Sequence, residues 1–316
     1  MKTIYIGMLT VMAMLSLTAC NNKEEVPQEP AAEGIPICFQ VSTGDMQSRA
    51  SHTNANTIDK FGLFIKSATE GVTYPNKNLI FTGKVEGNKR IWTPNENVAW
   101  QINPHTVDMI AYYPTDLYKS TESPFRFYGI IKIEENQTVS SYKSDVMTAR
   151  ISKFDPSTLT EGHPIVNLQF QHLMSQLQVV ITFPKEAAQE KIDGVQTICV
   201  GETMRYGMLN AEKNEVTQLE NIGIVNAYQS GIEENIVTFK CILIPQTVDK
   251  GKLRVSFFYD GNYYDWTSNQ NITFNQNTIH TLNLTVNNAT AAQTQSMQSR
   301  SWGGHTAYEV ISNSMN

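Results

Sequence analysis

VNLQFQHLMSQLQVVITF, residues Val166 to Phe183, is the stretch that decides the fold. In its first half Val166, Leu168 and Phe170 alternate with Asn167 and Gln169. In its second half Leu177, Val179, Ile181 and Phe183 alternate with Gln178, Val180 and Thr182. A period of two puts every second side chain on one face of an extended chain, so both halves read as strands. His172 to Ser175 lies between them and is the expected junction between two parts of the chain. Phe170 and Leu177 are close enough for one strand to run across it.

The same pattern continues in both directions. Before the junction, Ile35, Ile37, Phe39 and Val41 alternate with Pro36, Cys38 and Gln40, and Phe61, Leu63 and Ile65 with Gly62, Phe64 and Lys66. Further strands are expected at residues 79–81, 107–113 and 127–133. After the junction they are expected at 195–200, 236–240, 253–259 and 279–286. Pro104, Pro114, Pro184, Gly194, Gly223, Gly251 and Asp260-Gly261 supply turns between them. Helical signal is limited to one or two turns within Lys185 to Lys191. Many short strands at this spacing predict an all-β chain of β-sandwiches. At about 100–200 residues per domain, 316 residues allow two. The expectation is an N-terminal sandwich over 35–172 and a C-terminal sandwich over 173–286, in tandem, each able to bury a core. The tail, 287–316, differs. Residues 288–301 are small and polar and read as loop. Trp302 to Ile311 carries Tyr308, Val310 and Ile311 and reads as a final strand or an arm.

The N-terminus has a different logic. Met1-Lys2 gives a minimal positive start, and Ile4 to Leu17 is an apolar run too short to span a bilayer comfortably. It ends in Leu17-Thr18-Ala19-Cys20, similar to the bacterial lipobox, in which small residues precede a cysteine that takes the lipid. Residues 1–19 are then a lipoprotein signal peptide, Cys20 is the lipidation site, and 20–34 are a flexible linker rich in Pro, Glu, Ala and Asn. Lys23-Glu24-Glu25 soon after Cys20 resembles the surface-export signal of Bacteroidetes lipoproteins.

Composition narrows the function. Hydrophobic residues are 41% and charged residues 17%, which suits a globular chain rather than a disordered one. The net charge is −6 and no basic run occurs, which argues against nucleic acid as a partner. The signature spacings of hydrolases, zinc proteases, P-loops and dinucleotide sites are absent, so no enzyme, metal or cofactor is expected. His172 reads as a hydrogen-bonded structural histidine. Asp145, Asn167 and Asp260-Gly261 lack calcium-loop spacing. Trp92, Trp100, Tyr112, Tyr113, Tyr263, Tyr264 and Trp266 could stack on sugars, although rings on strands more often fill a core. Beyond Cys20 there are Cys38, Cys199 and Cys241. An exported compartment permits a Cys199–Cys241 disulfide; buried free thiols in strands are the other reading.

A series of motifs carries a resemblance. Ile37-Cys38-Phe39-Gln40-Val41, Ser48-Arg49-Ala50 and Phe61-Gly62-Leu63-Phe64 come first. Ile91-Trp92-Thr93-Pro94 with Val98-Ala99-Trp100, Ala111-Tyr112-Tyr113-Pro114 and Ser144-Asp145-Val146-Met147 follow. Leu168 to Leu177 and Leu243-Ile244-Pro245-Gln246-Thr247 complete the series. In this order, behind a lipobox, they resemble the fimbrillin family of Bacteroidetes, the subunits of type V fimbriae. The resemblance implies two transthyretin-like β-sandwich domains and a subunit that supports adhesion. It implies export as an outer-membrane lipoprotein to the cell surface and fimbrium. It also implies that an Arg-specific protease cuts the first loop, here between Arg49 and Ala50. The cut would remove the lipid anchor and a first strand carrying Ile35, Ile37, Phe39 and Val41. Strand addition from another fimbrial subunit would refill the groove. The donor strand would come from a C-terminal arm, here around Tyr308, Val310 and Ile311. Stalk, tip and anchor subunits share these motifs. The alternative is a non-polymerising surface lipoprotein that binds a glycan or a host protein.

Overall fold

The computed structural model describes residues 35–43, 58–67, 69–75, 77–86, 89–101, 103–118, 127–159, 165–286, 292–301 and 307–310. Cys20, Arg49, Ala50 and Ile311 fall outside them. The described residues all belong to one compact unit and are nearly all β.

Before the junction the strands are β1 (Ile35–Pro36), β2 (Cys38–Thr43), β3 (Lys60–Ser67), β4 (Leu79–Glu86), β5 (Lys89–Pro94), β6 (Ala99–Trp100), β7 (Val107–Tyr113), β8 (Tyr128–Lys132), β9 (Met147–Phe154) and β10 (Ile165–His172). A seven-stranded sheet runs β2-β10-β9-β7-β3-β4-β5, and β1 pairs with β6 beside it. All neighbours in the sheet are antiparallel except β2 and β10, which are parallel.

After the junction come β11 (Ser175–Thr182), a short helix α1 (Gln189–Asp193), β12 (Thr197–Asn210), β13 (Glu215–Glu233), β14 (Ile236–Leu243), β15 (Gln246–Val248), β16 (Arg254–Tyr259), β17 (Asn262–Thr267), β18 (Ile272–Phe274), β19 (Thr278–Val286), β20 (Ala292–Ser301) and β21 (Ala307–Val310). A second sheet runs β17-β16-β12-β13-β14-β11-β19-β20-β21, and β15 pairs with β18. The strand β8 also joins this second sheet, antiparallel to β12, although it precedes the junction in sequence.

Alternation is realised most plainly in β10, whose residues from Ile165 to His172 are alternately exposed and buried. The chain then passes through Leu173 and Met174 alone before β11 begins. The Leu173 N–H donates to the Val146 carbonyl at 2.8 Å, and both residues are buried. The strand candidates at 166–170 and 177–183 are therefore two strands, in different sheets, separated by two residues.

Two hydrophobic clusters form the core. One gathers Phe61, Phe81, Trp92 and Phe170 with their neighbours. The other is larger and centres on Leu177, Val179, Phe239 and Leu282. The strands β3 and β7 serve both. From β3, Phe61, Leu63 and Ile65 enter the first cluster and Phe64 the second; from β7, Met109, Ala111 and Tyr113 enter the first and Tyr112 the second. Phe64 and Tyr112 stack at 5.8 Å and meet Phe127 beneath the second sheet. Phe127, Ile131, Ile133 and Val146 lie in the stretch 35–172 yet pack in the second cluster. The side chain of Gln137 fastens this crossing segment. It donates to the Ile242 carbonyl at 2.8 Å and accepts from the Ile242 N–H at 2.7 Å.

Residues 292–301 are not loop but the ten-residue strand β20, paired with β19 from Thr278↔Ser301 to Val286↔Ala292. Pairing with β19 on one side and β21 on the other satisfies the main chain without any apolar side chain, so a small, polar sequence can still be extended here. The turn expected at Gly223 is absent: Gly223 lies inside the nineteen-residue strand β13, opposite Thr203, and the mostly exposed first half of that strand shows no alternation. The helical turn predicted within Lys185 to Lys191 is present slightly later, at Gln189–Asp193.

Candidate functional site

The first strand lies at one edge of the seven-stranded sheet. Its partner is β10, with Cys38 opposite Ile165 and Thr43 opposite Phe170. On one face of β2, Ile37 and Phe39 are buried at 3% and 5% exposure, and Val41 is half-buried against the same cluster. Ile35 is exposed and holds its place through main-chain pairing of β1 with Trp100. Phe39 is the largest of these anchors. Its ring meets Phe81 edge-on at 5.0 Å and Phe61 at 5.8 Å. Beneath it Phe61 and Phe81 stack at 5.3 Å, and Phe61 also contacts Trp92 and Phe170.

Without β2, these rings would line an open apolar trough beside the unpaired edge of β10. Burial of Ile37 and Phe39 contributes roughly 3–6 kcal/mol, at about 1.5–3 kcal/mol per large apolar side chain. That is enough to hold a strand in place while its covalent connection is intact. Arg49 and Ala50 lie in that connection, between Thr43 and Ile58, outside the described residues.

At the other end of the chain, β21 pairs antiparallel with β20. Tyr308 is opposite Ser299 and Val310 is opposite Met297. The proposed donor residues Tyr308 and Val310 thus sit at the outer edge of this chain's own second sheet; Ile311 lies outside the described residues.

The disulfide left open by the sequence is not formed: Cys199 and Cys241 are both free thiols. Cys199 is on β12 and Cys241 on β14, with β13 between them. Two strand spacings of about 4.8 Å exceed the roughly 7 Å that a disulfide's Cα atoms can span. The two also face opposite ways. Cys241 is fully buried in the second cluster, which pushes its thiol pKa up, while Cys199 is half-buried on the outer face.

His172 has the structural role expected of it, with a partner the sequence did not indicate. Its Nδ1 lies 2.9 and 3.0 Å from the two carboxylate oxygens of Asp145, and both residues are at most 1% exposed. The pair joins the Ser144-Asp145-Val146-Met147 motif to the Leu168–Leu177 motif. A separation of 27 residues hides such a pairing from any local pattern. Among the described residues no group of three or more His, Cys, Asp or Glu is placed to hold a metal, and no helix is long and apolar enough to cross a membrane.

A nearly all-β chain with this sheet arrangement is the architecture of solved Bacteroidetes adhesion and fimbrial proteins. A candidate cell adhesion protein from Bacteroides ovatus superposes with a TM-score of 0.63 at 14% identity, over 87% of this chain and 100% of that one. A candidate cell adhesion protein from Bacteroides uniformis gives 0.59 at 16%, over 84% and 98%. The tip fimbrial protein Mfa3 from Porphyromonas gingivalis, with a C-terminal truncation, gives 0.50 at 9%, over 85% and 99%. No curated protein sequence matches significantly. The family model described as fimbrillin-like matches residues 48–302, and the chain belongs to that family. Family and fold together support a fimbrial subunit role in adhesion at the cell surface.

Proposed function

We propose that this chain is a structural subunit of a fimbria, exported as a lipoprotein on Cys20 and assembled by protease-triggered strand exchange. The observation that carries the proposal is the seat of β2. Among the described residues it is an edge strand paired only with β10, and its apolar side chains plug an aromatic trough. An Arg-specific protease cutting between Arg49 and Ala50 would leave β1 and β2 held by side-chain burial and main-chain pairing alone. Their loss would free the edge of β10. A strand from a second copy or a related subunit would then supply both the pairing and the apolar plug. Covering such an edge until the cut prevents premature association.

The donor would be the C-terminal arm with Tyr308, Val310 and Ile311. Because β21 is folded onto β20, donation begins with release of that short strand from the chain's own sheet. The outer-membrane lipid anchor, the protease and the neighbouring subunit are the partners this cycle needs.

Limited trypsin treatment of the full-length chain, followed by size-exclusion chromatography and intact mass, tests the cycle. Cleavage after Arg49 with loss of the first strand and growth of a ladder is expected. A stable monomer after that cut would refute strand exchange. A ladder unaffected by Tyr308→Asp with Val310→Asp would place the donor strand elsewhere.

A further inference from the structure

The outer face of the second sheet carries a groove that strand exchange does not use. It is a cavity of about 330 Å³ over β13, β12, β16 and β17. Registers across these strands place Asn226, Cys199, Ser256 and Asp265 in one row. Cys199, Ser256 and Asp265 line the cavity, with Arg254 and Gly201 beside them. The hollow has a local cause. A bulge between Val200 and Thr203 breaks the β12–β13 ladder, with Glu202 at φ 62°, and Gly201 puts no side chain into the space. Bulges of this kind bend a strand and re-aim its side chains next to sites.

One pleat further along the same two strands are Phe258 and Tyr263. They face each other across the hairpin with ring centroids 5.2 Å apart. They are 53% and 77% exposed, whereas their neighbours Phe257 and Tyr264 are buried and stacked. Inward-facing rings on this hairpin serve the core. The outward pair, a cross-strand contact worth about 0.2–1 kcal/mol to the hairpin, leaves two aromatic rings largely open to solvent beside the groove.

We propose that this groove binds a neutral saccharide of one or two rings. A pyranose has an apolar C–H face and a rim of hydroxyls. The exposed Phe258–Tyr263 pair offers the surface for the first. Asp265 offers a two-oxygen acceptor for neighbouring hydroxyls, Arg254 offers donors, and Ser256 offers both. Among the described residues no ion pair or side-chain hydrogen bond engages Arg254 or Asp265. Arg254 is balanced by Asp265 and Glu202, so the groove suits neither a simple anion nor a cation. Its volume is at the small end of the about 300–1,000 Å³ of ligand pockets, and it opens to solvent, as capture of a surface glycan requires. Saccharide capture on this face requires neither cleavage nor polymerisation.

The full chain is applied to a printed array of mucin-type, N-linked and polysaccharide-derived glycans, and a bound glycan is then titrated by calorimetry. Tyr263→Ala and Asp265→Asn are each expected to weaken binding about tenfold or more, as loss of a stacking ring or of a charged hydrogen-bond partner does. Tyr263→Phe should retain it. Cys199 provides a check that needs no variant: the bound glycan should slow alkylation of this thiol several-fold, read by peptide mass. An array with no bound glycan overturns the proposal. So does binding of protein ligands alone, or binding that leaves both Cys199 alkylation and the two variants unchanged.

Discussion

Single residues in this chain are chosen by contacts that sequence spacing does not display. Gly62 lies where an added Cβ would come within 2.2 Å of the Tyr112 ring, so the second position of Phe61-Gly62-Leu63-Phe64 is set by a neighbouring strand. Tyr112 in turn accepts from Asn78 at 2.5 Å, and burial pushes its phenol pKa up. His280 offers a quantitative case. It is 3% exposed, packs edge-on to Phe274 at 5.1 Å and accepts the Asn275 N–H at Nε2. Burial lowers its pKa from 6.5 to about 4. The folded protein therefore holds neutral imidazole at pH values where the unfolded chain is protonated. Its contribution is complete above about pH 6.5 and is lost as pH falls toward 4, by roughly 3 kcal/mol at about 1.4 kcal/mol per unit. Denaturant titrations between those pH values should show this fall. His280→Gln should flatten it.

Elements obey two rules of unequal visibility. Strands with one buried face, such as β10 and β11, announce themselves by alternation because each side chain reports its own environment. Strands held by main-chain pairing, such as β20 and the first half of β13, do not, because the partner strand supplies the reason for extension. The first strand combines both: its alternation is legible, and its edge position is not. That position makes a prediction. Phe39→Ala should destabilise the intact chain by about 3–5 kcal/mol, the usual cost of removing a buried phenylalanine. After cleavage behind Arg49 and removal of the released strand, wild type and variant should unfold at the same denaturant concentration. A difference that survives cleavage would mean that the strand had not left.

For the whole molecule, the point where the chain turns from one sheet to the other is not where the cores divide. His172 ends the first sheet, yet Phe127, Ile131, Ile133 and Val146 from before it complete the second cluster. A fragment ending at His172 should expose these side chains, bind a hydrophobic dye and elute as aggregate on size-exclusion chromatography. A soluble monomer with native near-ultraviolet ellipticity would show that the second cluster is dispensable for the first half. The amino-acid sequence by itself determined that this protein is all β, where most one-sided strands run, and which motifs tie it to the fimbrillins. Those properties are local, written in the alternation and order of neighbouring residues. Only the tertiary structure decided that β8 belongs with β12 and that Asp145 reaches His172. It alone separated Cys199 from Cys241, buried Phe39 over stacked rings and left Phe258 and Tyr263 in solvent. Those facts depend on pairings between residues far apart in the chain, which packing selects and no local pattern records.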